Sequence, residues 1–132
     1  MAEEPSHDYR VLRRALGLMA LVAWGLVLRV HGVAIVRGGS LSPALEAGDI
    51  VIYKRDECAL SAGDIVLFRR AGDTHKVLHR VVAIRPDRTI TTRGDANEVS
   101  DRDPVTRADV LGVVVAVLPT GQTASALEER LR

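Results

Sequence analysis

Cysteine is almost missing from this 132-residue chain: Cys58 stands alone, so no internal disulfide can form and no cysteine-rich zinc site can be built. Aromatic residues are scarce as well, at 3%, which argues against a surface for stacking nucleobases. An excess of one charge is also lacking. Lys and Arg number 18 against 17 Asp and Glu, mixed along the chain, and the net charge of +1 points to no nucleic-acid partner. There is no low-complexity segment, and the recurring Gly-Asp-Ile-Val follows from turn chemistry more simply than from duplication.

What is present begins with an apolar run. From Ala15 to Leu28 every residue is apolar or glycine, with Arg10, Arg13 and Arg14 before it and Arg29 and His31 after it. A membrane span needs about 20 apolar residues, a length reached when Val11, Leu12 and Val30 are counted and the flanking arginines snorkel. A cleavable signal peptide shares the basic start and apolar centre, and Gly32 to Ala34 offers small residues near a cut. Cleavage there would leave only a stub before Ser40. A buried soluble helix would show a polar face, and this run has none. An anchor is therefore expected over residues 1–32. The basic cluster before it places the N-terminus in the cytoplasm and the remainder outside, on a cell membrane or an endoplasmic-reticulum membrane.

The rest breaks into short β-branched runs: Val33 to Val36, Ile50 to Tyr53, Ile65 to Phe68, Val77 to Ile84, Thr89 to Thr92 and Val110 to Leu118. Gly-Asp pairs at 48–49, 63–64, 72–73 and 94–95 separate them as turns. Six short strands without long helices between them predict a mainly β fold, a small antiparallel barrel-like domain over residues 33–120, since closure hides strand edges. Residues 121–132 close the chain, with a short helix expected over 124–132.

Chemistry needs a nucleophile on a turn, a base within reach, a group to orient the base and donors for an oxyanion. Ser40 follows Gly38-Gly39 at the end of a strand, where glycines admit unusual backbone and close substrate approach. His79 lies within His75-Lys76-Val77-Leu78-His79-Arg80-Val81-Val82. A zinc site pairing His75 with His79 fails on distance, because four strand residues span about 13 Å. Asp95, Asn97, Glu98, Asp101 and Asp103 share a polar loop that could ligate a hard cation, though without the spacing of an EF-hand.

Taken in order, Gly39-Ser40-Leu41-Ser42-Pro43 with Leu45 and Gly48-Asp49, Gly63-Asp64-Ile65-Val66, His79-Arg80-Val81, Gly94-Asp95-Ala96-Asn97 with Asp101, and Val110-Leu111-Gly112 resemble signal peptidase I, the S26 serine peptidases. The resemblance covers about residues 33 to 114. Where the usual bacterial enzymes carry a lysine base before Arg-Val, this chain has His79, which looks like the endoplasmic-reticulum and archaeal branch with its Ser/His/Asp site. The resemblance implies Ser40 as nucleophile, His79 as base and Asp101 as orienting acid, with Asp95 holding the Gly94 turn.

It further implies a membrane-bound endopeptidase that removes signal peptides from exported proteins through an acyl-enzyme, with no cofactor and no metal. Its partners would be signal peptides and the lipid bilayer. The scissile segment would lie as an extended strand beside Val33, Ile35 and Val36, with Leu41 and Val77 shaping pockets for small side chains. A histidine base predicts activity that falls as pH drops through about 6 to 7. Three departures from the family pattern stand out: Leu41 and Ser42 replace the usual Met and Glu, Gly38 replaces a hydroxyl residue that helps the oxyanion hole, and Leu127-Glu128-Glu129-Arg130 replaces a second span. The rival readings are a dedicated maturation peptidase and an inactive binding module on the same groove, the latter favoured by Gly38.

Overall fold

Helix formation begins upstream of the apolar run and outlasts it. In the computed structural model, which describes residues 7–55, 59–70 and 72–121, α1 spans His7–Val30. Its segment Tyr9–Val30, with a mean hydropathy of 1.8, is long and apolar enough to cross a membrane, a test that a signal sequence also passes. Its 22 residues extend about 33 Å at 1.5 Å each, matching a hydrocarbon core of about 30 Å. Leu18, Met19, Leu21, Val22, Trp24 and Leu26 are all well exposed. A helix apolar on every side has no single core-facing stripe to bury.

The strands form a second unit, from His31 onward. They are β1 His31–Ile35, β2 Ile50–Lys54, β3 Ile65–Arg69, β4 Lys76–Ile84, β5 Ile90–Arg93 and β6 Val110–Leu118. All six lie within two residues of the β-branched runs. The tail expected to be helical, over 124–132, and Cys58 lie outside the described residues.

All strand pairs are antiparallel in one sheet of order β1-β2-β6-β3-β4-β5. The expected barrel is not closed. Among the six strands β1 pairs only with β2 and β5 only with β4, and beyond β5 there is a single bridge, Ile90 to Val105, so two edges remain. Register shifts between Ile52 and Tyr53, Leu67 and Phe68, and Val81 and Ala83 mark bulges that bend the sheet.

Apolar side chains leave the central strands on both faces, which divides the core in two. Val66, Phe68, Val81, Ile90, Val105 and Val113 fill one cluster. Val36, Leu41, Leu45 and Val51 fill the other, with Ile65, Leu78 and Val114 packed against it. The alternation Val77/Leu78 on β4 and Val113/Val114 on β6 sends neighbouring residues to opposite clusters, as a period of two requires. The second cluster matters most for the site, because Leu41 adjoins Ser40.

Candidate active site

The Ser40 loop is held at both ends. On its upstream side, Val36 N–H donates to Asp49 O at 2.8 Å, and Val36 O accepts from Gly48 N–H at 2.9 Å. Downstream, Leu41 and Leu45 are each 1% exposed in the second cluster. Between these anchors Arg37, Gly38 and Gly39 are exposed, and Gly38 turns the chain at φ +82°, a conformation that suits glycine. Ser42 N–H closes the turn onto Gly39 O at 3.1 Å, and the Ser42–Pro43 peptide is cis.

From across the loop, the Gly94 turn presses on Ser40. Ala96 N–H donates to Ser40 O at 2.9 Å, and a Cβ on Gly94 would stand 2.5 Å from Ser40 O and 3.0 Å from Ser40 Cβ. Only glycine permits that approach. Arg80 of β4 pairs with Arg93 of β5, so continuing the antiparallel register by one step sets Gly94 opposite His79. Residues opposite one another point to the same face. The space that a side chain at Gly94 would take, beside His79, is therefore occupied by Ser40. The Ser40 hydroxyl is uncommitted among the described residues.

His79 sits on β4 opposite Val66, 6% exposed, with the Phe68 ring edge-on at 6.2 Å. Its Nδ1 lies 2.6 Å from Asp101 Oδ2. Asp101 is fixed in turn: its N–H donates to Thr92 O at 2.8 Å, Thr92 Oγ1 donates to Oδ2 at 2.7 Å, and Arg70 lies 3.4 Å from Oδ1. Burial alone pushes the Asp101 carboxyl up, but hydrogen bonds from Thr92 and His79 and the charges of His79 and Arg70 outweigh it, leaving its pKa below the ordinary value. An ionised carboxylate only accepts hydrogen bonds, so Nδ1 carries the proton and the Nε2 of a neutral ring is left as an acceptor.

Asp95 departs from the role expected for it. Its carboxylate does not hold the Gly94 turn but takes Arg80 Nε at 2.8 Å and Arg80 Nη2 at 2.5 Å, and Arg80 also donates to Gly63 O. The turn itself closes through Asn97 N–H to Gly94 O at 3.0 Å. Arg80 hydrogen bonds hold Asp95 below its ordinary pKa against the opposing effect of burial. The aspartates of the other Gly-Asp turns do serve local backbone: Asp49 accepts from Glu46 N–H, Asp64 from Ser61 N–H and Asp73 from His75 N–H. With Asp95 given to Arg80 and Asp101 to His79, Thr92 and Arg70, the polar loop has little left for a cation, and no group of three metal-ligating side chains occurs among the described residues.

Ser42 does not replace the hydroxyl absent at Gly38. Its Oγ donates to Glu46 Oε1 at 2.8 Å, so that proton is taken. Thr92, Phe68 and the Arg80–Asp95 pair were not legible as site residues. The one available signal was Arg80 itself, a charge within the β-branched run from Val77 to Ile84.

A cleft of about 480 Å³ opens at Ser40, with Ile35 and Val36 of the β1 side and Val77 and Leu78 of β4 among its walls and Leu41 below. Val33, 66% exposed, lies outside that lining. Both walls have unpaired main chain. β1 is an edge strand, and β5 covers β4 only from Arg80 to Ile84, leaving Lys76 to His79 open on that side.

A hydroxyl and an open strand edge on one cleft, with the carboxylate-bound imidazole of His79 one residue beyond Leu78 of its wall, are the groups that acyl-transfer chemistry draws on. Over residues 10–116 the chain matches the model of signal peptidase, peptidase S26, and it belongs to that family. No curated protein matches it.

Proposed function

We propose that the protein is a membrane-anchored serine endopeptidase that removes signal peptides from exported proteins. Ser40 attacks the scissile carbonyl, His79 Nε2 takes its proton, and the tetrahedral intermediate collapses to an acyl-enzyme as the proton passes to the leaving amine. Water, activated by the same imidazole, then releases the acid. Asp101 keeps the ring in the Nδ1–H tautomer and stabilises the imidazolium. The observation that carries this reading is the His79–Asp101 hydrogen bond at 2.6 Å, next to a serine that fills the place of the Gly94 side chain.

The Ser40 backbone N–H supplies one oxyanion donor, while Gly38 offers no hydroxyl. Loss of one such donor costs about 10²- to 10³-fold in turnover, so a slow enzyme is expected. That deficit also supports the second reading, an inactive module that binds export substrates in the same groove. The substrate adds as an extended strand along the free edge of β1, and the arginines before α1 place its N-terminus in the cytoplasm and the catalytic domain on the outer face.

The test is cleavage of a precursor with a small-x-small site by detergent-solubilised protein. Wild type is expected to cleave, Ser40→Ala and His79→Ala to lose cleavage. Binding without cleavage by wild type would favour the inactive module, and cleavage retained in Ser40→Ala would sink the serine mechanism.

A further inference from the structure

The cleft at Ser40 carries an unbalanced charge. Arg37, His75 and Lys76 are the ionisable residues of its lining, and none of the described residues that line it is acidic. Four carboxylates on the adjoining segments are engaged elsewhere. Asp73 accepts from His75 Nδ1 at 2.6 Å, Asp95 holds Arg80, Asp101 holds His79 and Arg70, and Glu46 accepts from Ser42. The hydrogen bond from the His75 backbone, then that from its ring, keep Asp73 below its ordinary pKa, so it stays a carboxylate that offsets His75. Arg37 and Lys76 remain exposed with no carboxylate partner among the described residues.

Both charges line the cleft that holds Ser40, within a short reach of the reacting groups along the chain. Lys76 precedes His79 by three residues on β4, about 10 Å along the strand. Arg37 precedes Ser40 by three residues, within about 10 Å even if the loop is fully extended. An extended peptide advances at the same rise as the strand it lies against. A substrate side chain within a few positions of the scissile bond therefore passes these cations, which line the same cleft as Ser40. A cleft with low-dielectric walls such as Leu41, Val77 and Leu78 concentrates their field.

From this we infer that Arg37 and Lys76 make the enzyme selective for substrates with an acidic residue two to four positions from the cleaved bond, outside the small residues of the small-x-small site. This inference rests on the peptidase reading, and two readouts keep the failures apart. In neutral detergent, kcat/KM is measured for a small-x-small peptide carrying Gln, Glu or Lys at each position from two to four on either side of the bond, the small residue three before it being kept. In parallel, binding of the same fluorescent peptides to Ser40→Ala is followed by polarisation.

Glu is expected to exceed Lys by about 5-fold at the matching position in both readouts, a size typical of partly exposed ion pairs. The ratio should fall toward one in 1 M salt, where the screening length is about 3 Å. In Arg37→Glu with Lys76→Glu the ratio should invert, whatever the change in absolute rate, while Arg37→Lys should keep it. Equal Glu and Lys values at every position, with the Gln peptide cleaved or bound, would overturn the inference. A preference seen in binding while wild type cleaves nothing would leave the charge selectivity standing and remove the peptidase reading. A charge effect found only with anionic vesicles, insensitive to peptide sequence, would assign the two cations to lipid and overturn the inference.

Discussion

Oδ2 of Asp101 serves two donors at once, His79 Nδ1 at 2.6 Å and Thr92 Oγ1 at 2.7 Å. The Thr92 hydroxyl therefore helps to set both the charge and the position of the group that orients the imidazole. Asp101→Asn replaces an acceptor by an amide that can present a donor to Nδ1, favouring the wrong tautomer. Turnover should fall by about 10²- to 10⁴-fold with KM little changed, measured on a small-x-small peptide. The same substitution has a pH signature in stability. Because Asp101 has a folded-state pKa below that of the unfolded chain, it stabilises the fold above about pH 4 and loses that contribution as pH falls through the lower folded value. Denaturant unfolding of Asp101→Asn should therefore show less loss of stability from pH 5 to pH 2 than wild type, and an unchanged slope would argue against a depressed pKa. Gly94→Ala acts on Ser40 directly. The new Cβ would meet the Ser40 carbonyl oxygen at 2.5 Å, backbone that yields only by moving the nucleophile. We expect about a 10²-fold loss of kcat from such a displacement, and a full rate in that variant would show that Ser40 need not sit against Gly94.

At the scale of elements, the site depends on β4 and the loop after β5 staying in register. Arg80 joins them, bonded to Asp95 on one side and to Gly63 O before β3 on the other. The side chains of this pair are 34% and 19% exposed, so part of the interaction is screened. Asp95→Ala should cost about 1–3 kcal/mol in denaturant unfolding, and a loss below 0.5 kcal/mol would make the pair dispensable for the fold. Much of this architecture was legible in the chain. Each strand announced itself through β-branched residues, and the Gly-Asp pairs marked turns because glycine and a short acceptor suit them. The Ser40, His79 and Asp101 set came from resemblance, since nothing in spacing alone separates Asp101 from Asp95 or Asp103 in a loop of carboxylates. Their different partners arise from long-range register, Arg80 against Arg93 and Asp101 N–H against Thr92 O, which local pattern does not encode. Whether the barrel-like sheet closes was not legible for a related reason. Short strands with polar turns are common to barrels and open sheets, and whether the last edges meet depends on bulges and stagger.

The whole chain joins a helix apolar on all sides to a strand domain that carries its own core. The two clusters, packed on both faces of the sheet, are built from residues between Ala34 and Val114. The division of the chain falls between Val30 and His31, so a fragment beginning at His31 keeps every strand. If the helix serves to hold the enzyme at the surface where its substrates are held, its contribution is effective concentration rather than catalysis. Removing residues 1–30 should then leave kcat/KM on a soluble peptide within about 3-fold of the full chain. Processing of a bilayer-embedded precursor should slow far more, by about 10²-fold or greater, because encounter becomes bimolecular in three dimensions. The two rates, measured side by side in detergent and in liposomes, separate anchoring from chemistry. Equal loss in both would place α1 in the folding of the strand domain, and no loss in liposomes would leave the helix without a role in substrate capture.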